Sequence, residues 1–130
     1  MAKTITVVIA EDEAIIRLDL KESLEAEGYA VIGETGRGDE AIDLVRTLQP
    51  DLAILDIKMP GMNGIDVAKV ISDEGLSAVI LLTAFSQQDL IQEASNAGVL
   101  AYLVKPFQRS DLVPSIELAL GRFKEISGLK

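Results

Sequence analysis

Continuous apolar runs and mixed stretches alternate along the chain five times. Ile5–Ala10, Tyr29–Ile32, Asp51–Asp56, Val79–Leu82 and Leu100–Val104 read as strands covered on both faces, because their apolar residues run on instead of alternating. Between them, apolar positions recur at helical spacing. Ile16, Leu20 and Leu24 make one stripe closed by Gly28, and Ala41, Val45 and Leu48 make a second stopped by Pro50. A short third helix is expected from about Ile65 to Asp73. Ser86 with Asp89 resembles a capping box and opens a fourth helix reaching Ala97 before Gly98. Leu112, Ile116, Ala119 and Phe123 line a fifth, from about residue 109 to 126, with Gly128 as its stop. Gly33–Gly38 and Ile57–Gly64 are rich in turn residues and read as loops. A helix-length crossover separates successive strands, as parallel pairing requires. The expected fold is α/β: a doubly wound (βα)5 domain with a five-stranded parallel sheet, residues 1–130 forming one unit.

Chemistry collects where the runs stop. The first ends in Glu11-Asp12, the third in Asp56, the fourth in Thr83 and the fifth in Lys105-Pro106. In an open parallel sheet these residues meet at the carboxyl edge, where such folds bind ligands. Singly, each has an ordinary explanation. Glu11 and Asp12 begin the first helix and would cap it, Thr83 is a common strand residue, and Lys105 a solvated one. Together they differ: clustered carboxylates repel one another unless a cation neutralises them, and Mg²⁺ favours such oxygen donors. A hydroxyl and an ammonium alongside suit phosphoryl oxygens. Tyr102, Met59, Met62 and Phe107 are expected to pack.

Composition narrows the field. With 48% apolar and 25% charged residues the chain is globular, and a net charge of −9 argues against direct nucleic-acid binding. No Cys and no His occur, which excludes disulfides, thiol chemistry, imidazole bases and His-held zinc. The first apolar run is too short and too acidic at its end for a signal peptide, and no stretch is long enough to span a membrane. A cytoplasmic protein is the expectation. Neither phosphate-binding glycine fingerprint is present.

Four motifs in order, Ala10-Glu11-Asp12-Glu13, Leu55-Asp56-Ile57-Lys58-Met59-Pro60-Gly61-Met62-Asn63-Gly64, Leu82-Thr83-Ala84 and Leu103-Val104-Lys105-Pro106-Phe107, resemble the receiver domain of bacterial two-component response regulators. The flanking residues look most like antiterminator-type (ANTAR) regulators. The resemblance implies a flavodoxin-like strand order of 2-1-3-4-5, and Asp56 as phosphoacceptor for a sensor histidine kinase. It implies Mg²⁺ or Mn²⁺ held by Asp12, Asp56 and the backbone carbonyl of Lys58, with Glu11 acting mainly through water. Lys105 would pair with the Asp56 carboxylate at rest and with the phosphoryl group afterwards. Thr83 would hydrogen-bond that group, Tyr102 would change rotamer, and Lys105-Pro106 is a candidate cis peptide. Lys58 and Phe85 occupy positions that tune dephosphorylation in the family. The face beside the last helix is a candidate for regulated self-association or effector contact, with a simply frayed end as the alternative, and output such as antitermination would lie in a longer protein.

Two other classes compete. An aspartyl-phosphate phosphohydrolase would want a second carboxylate two residues after the nucleophile, where Lys58 stands. An FMN carrier would want a hydroxyl-rich phosphate loop after the first strand, where Glu11-Asp12-Glu13 would repel it.

Overall fold

The computed structural model describes residues 3–84 and 90–127. Five strands, β1 (Thr6–Ala10), β2 (Ala30–Thr35), β3 (Leu52–Asp56), β4 (Ala78–Thr83) and β5 (Ala101–Val104), form one sheet in the order β2-β1-β3-β4-β5, every neighbouring pair parallel. The helices are α1 (Ala14–Ala26), α2 (Gly38–Leu48), α3 (Gly64–Asp73), α4 (Ile91–Asn96) and α5 (Arg109–Ser127). The expected fold class and strand order are both observed.

Period-two side chains on the strands divide the core. Val8, Ala10, Ala53, Leu55, Val79 and Leu81 pack with α2, α3 and Ala94 of α4 on one face. Val7, Ile9, Leu52, Ile54, Ile80 and Leu82 pack with Leu20 and Leu24 of α1 and with Leu112, Ile116 and Ala119 of α5 on the other. All five residues of β3 are buried, since it runs through the middle of the sheet. That is why its apolar run was unbroken in the sequence.

Local chemistry sets the boundaries. Asn63 caps α3 by accepting from the Asp66 N–H at 2.9 Å. Asp51 staples β1 to β3, its carboxylate accepting from the Thr6 N–H (2.9 Å) and hydroxyl (3.1 Å). Two expectations need correction. The second strand does not end at Gly33 but runs to Thr35, with a register shift that passes over Ile32 as Val7 pairs with Val31 and Val8 with Gly33. A Cβ there would lie 2.8 Å from Leu48 Cδ1 at the end of α2, a contact that a small shift of that side chain relieves. Nor do Glu11 and Asp12 begin α1, which starts at Ala14 with Glu13 at its cap position. They belong to the loop leaving β1. The expected Ser86–Asp89 cap, Phe85 and Gly128 lie outside the described residues.

Candidate functional site

Sheet register assembles the site. Ala10 pairs with Leu55, Asp56 with Leu82, and Thr83 with Val104. Glu11 therefore leaves β1 level with Asp56, and Lys105 follows one step beyond Thr83. Glu11 is fully buried, and Asp56 and Thr83 nearly so. Two buried carboxylates side by side are costly without compensation.

Lys105 provides it. Its Nζ lies 2.7 Å from Glu11 Oε1 and 3.0 Å from Asp56 Oδ1, bridging the two acids. Burial works to lower the pKa of the ammonium, but the close contacts and negative charges of Glu11 and Asp56 outweigh it, and the net shift is upward. Asp56 Oδ1 also accepts from the Ile57 N–H at 3.0 Å, and Glu11 Oε2 from the Glu13 N–H at 3.1 Å. Glu11 Oε1 lies within ion-pair distance of the ammonium yet makes no hydrogen bond of acceptable geometry. It is a buried acceptor with spare capacity.

Asp12 stands at the exposed rim of this pair. One carboxylate oxygen each from Glu11, Asp12 and Asp56 can be chosen so that all lie within 4.8 Å of one another. Three carboxylates against one ammonium leave two formal negative charges, which a divalent cation would neutralise. The donor set is all oxygen, with two acids buried and one open to water. That matches the preference of Mg²⁺ for few carboxylates and several waters, so the residues present fit a hard divalent ion.

The remaining sequence-chosen residues lie on the neighbouring strands and on the loops that leave them. Thr83 ends β4, and its carbonyl accepts from the Lys105 N–H at 2.6 Å, fixing where Lys105 leaves β5. The Lys105–Pro106 peptide is cis. Lys58 is exposed in the loop two residues beyond Asp56. Met59 and Met62 pack on the α2–α3 side of the core, and Phe107 on the α1–α5 side. Tyr102 is half-buried; its hydroxyl donates to the Ile91 carbonyl (3.2 Å) and shares a 2.7 Å hydrogen bond with Ser95. Both partners belong to α4.

One contact and one residue escaped the sequence reading. Glu11 shares Lys105 with Asp56 at least as closely as Asp56 does, although only Asp56 was expected to hold it at rest. Gly64 is the other: a Cβ there would fall 2.0 Å from the Asp56 carbonyl oxygen, so α3 begins hard against the backbone of the central acid. The Asn63-Gly64 dipeptide after a turn-rich loop was the available signal, but it indicated only a turn.

With this geometry in view, comparison with known proteins is decisive. Residues 7–117 match the response regulator receiver domain. The chain belongs to that family. It is 54% identical over 124 residues to the transcriptional regulatory protein PdtaR of Mycobacterium tuberculosis, covering 95% of this chain and 60% of that one. The chain thus spans about 60% of the length of that relative. Chemotaxis protein CheY of Thermotoga maritima is 40% identical over 111 residues, covering 85% of this chain and 92% of its own. Among solved structures, the signal receiver domain of a modulated diguanylate cyclase from Desulfovibrio desulfuricans superposes with a TM-score of 0.87 at 29% identity, over 95% of this chain and 99% of that one. The receiver domain is a signalling module of two-component, phosphorelay systems. Among its described residues no helix is long and apolar enough to cross a membrane.

Proposed function

We propose that residues 1–130 form one receiver domain that takes a phosphoryl group onto Asp56 from the phosphohistidine of a sensor histidine kinase. The observation that carries this reading is the buried Asp56 carboxylate held between Ile57 N–H and Lys105, with Glu11 and Asp12 alongside. An Asp56 oxygen attacks phosphorus in line; the O–P bond forms as the N–P bond breaks, and its electron pair leaves with the imidazole. A divalent cation, Mg²⁺ or Mn²⁺, held by Asp12, Asp56 and the Lys58 carbonyl, with Glu11 mainly through water, would neutralise charge on the phosphoryl oxygens. Lys105 meets those oxygens as it leaves Asp56, and the Thr83 hydroxyl donates to another.

Signal output follows from moving Thr83 and Tyr102. Tyr102 is tethered to α4 through Ser95 and Ile91, so a change in its rotamer alters how α4 sits on β5. Beside it a cleft of about 480 Å³ runs along β5 and α5, lined by Val104, Pro106, Asp111 and Pro114 among others. The face made by α4, β5 and α5 is the region we assign to output, including self-association of the phosphorylated form. A shift from 1:99 to 99:1 there requires about 5.5 kcal/mol of differential stabilisation. The protein is cytoplasmic in this reading and does not itself bind nucleic acid. PdtaR is by name a transcriptional regulator, and control of transcription, by antitermination, is the output we assign to a longer protein containing this domain.

Intact mass after incubation with acetyl phosphate and Mg²⁺ tests the acceptor. Wild type gains one phosphoryl group, labile to hydroxylamine, and Asp56→Asn gains none. Undiminished labelling of that variant overturns the assignment.

A further inference from the structure

We infer that Arg17 is a positioning residue for the acidic pair: it pins the Glu11–Asp12 backbone so that the two carboxylates stand ready for a divalent cation. The inference rests on the cation site proposed above. Arg17 sits on α1, one turn beyond Glu13. Its Nη1 donates to the Glu11 carbonyl oxygen at 2.6 Å, while its Nε donates to Glu34 Oε1 at 3.3 Å. Glu34 lies at the end of β2, opposite Ile9, and is itself held by Lys21 at 3.2 Å. The guanidinium therefore ties the loop after β1 to the neighbouring strand.

Glu11 is fixed from both sides. Its N–H donates to the Thr35 carbonyl at 3.0 Å, and its C=O is taken by Arg17. Gly36 closes over the same segment: a Cβ there would lie 3.2 Å from Arg17 Nη1 and 3.3 Å from Asp12 Cα. With both peptide groups of Glu11 held, the backbone at Glu11 is already in place when a cation arrives, and preorganisation of this kind raises affinity. Partners one step removed from a metal commonly change its affinity by about 10–100-fold.

A cationic side chain beside a cation site raises an opposite expectation, and this makes the inference sharp. If Arg17 acted only through its charge, removing it would tighten cation binding. Glu34, shared with Lys21, offsets part of that charge, and the inference is that the 2.6 Å backbone hydrogen bond outweighs the remainder. Arg17→Ala should weaken binding about 10-fold.

The test is direct measurement of Mn²⁺ affinity by the loss of the free-ion electron paramagnetic resonance signal, repeated for Mg²⁺ by amide shifts. Wild type, Arg17→Ala, Arg17→Lys and Glu34→Gln are compared, with thermal unfolding as the control for folding. Arg17→Ala should bind more weakly, Arg17→Lys should recover part of the loss, and Glu34→Gln should show a smaller loss. If Arg17→Ala fails to fold, the last two variants carry the comparison. Affinity unchanged or tightened in the Arg17 variants overturns the inference. Wild type that binds neither ion overturns the cation site itself, a separate result.

Discussion

Removing the ammonium of Lys105 should expose what the site costs to hold. Lys105→Met keeps the stem and deletes the charge, leaving Glu11 and Asp56 facing each other without a counter-ion. Coulomb's law with an effective dielectric near 20 gives about 6 kcal/mol of gross attraction for each contact, at 2.7 and 3.0 Å. Much of that is offset by desolvation of the three charges, and breaking a buried pair by removing one partner costs about 3–5 kcal/mol. The Lys105 side chain keeps 18% of its surface in water, so the lower end applies, about 3 kcal/mol. For a chain of this size that is roughly a 10 °C fall in melting temperature. Urea unfolding followed by circular dichroism, without divalent ions, measures it. Salt should change the loss little, because both acids are buried. A second arm adds 10 mM Mg²⁺. The ion should stabilise the variant more than wild type, since in the variant it replaces the missing positive charge as well as occupying its own site. A loss below about 1 kcal/mol, in the range of exposed pairs, or an equal Mg²⁺ effect on both proteins, would refute the bridging role.

Alkaline titration gives an independent check. The pKa of Lys105 is raised on folding, so its contribution is fully present below the unfolded value of about 10.4 and lost as pH rises through the folded value; the wild-type advantage over Lys105→Met, read as urea midpoints, should shrink through that range and stay constant from pH 7 to 9. Gly64→Ala forces a Cβ against the Asp56 carbonyl backbone, and a loss of about 3 kcal/mol with weaker Mg²⁺ binding is expected by urea unfolding and amide shifts; a neutral effect on both would show that the loop yields freely. Tyr102→Phe removes the hydroxyl contacts to Ser95 and Ile91, and should cost about 1 kcal/mol while speeding amide hydrogen exchange in α4 over α3; unchanged exchange would mean that the tether does not hold α4.

Hydrophobic patterning determined the fold class and nearly every element, because burial on both sheet faces writes an unbroken apolar run, and burial of one helix side writes a period near four. β3 and α5 show this best: all of β3 is buried, and α5 buries Leu112, Ile116 and Ala119, with Phe123 half-buried near its end. The ends of the runs also disclosed which side chains share the sheet edge, since in a parallel sheet every strand delivers its last residue to the same side. Tertiary structure decided the rest. Gly33 looked like a strand end, and only the pairing of β2 with β1, which continues past it to Thr35, shows that it stands inside the strand. Glu11 and Asp12 carried the composition of a helix start, and only the path of the loop moved the helix to Ala14. Sharing of Lys105 between two acids depends on contacts of 2.7 and 3.0 Å between residues far apart in sequence, set by strand register and by the exit of β5 through the Thr83–Lys105 hydrogen bond. The hold of Arg17 on Glu11 is likewise a main-chain contact, and a backbone carbonyl has no letter in the sequence. Residue types and their order fix which groups can meet; packing of the loops against one another fixes which of them touch.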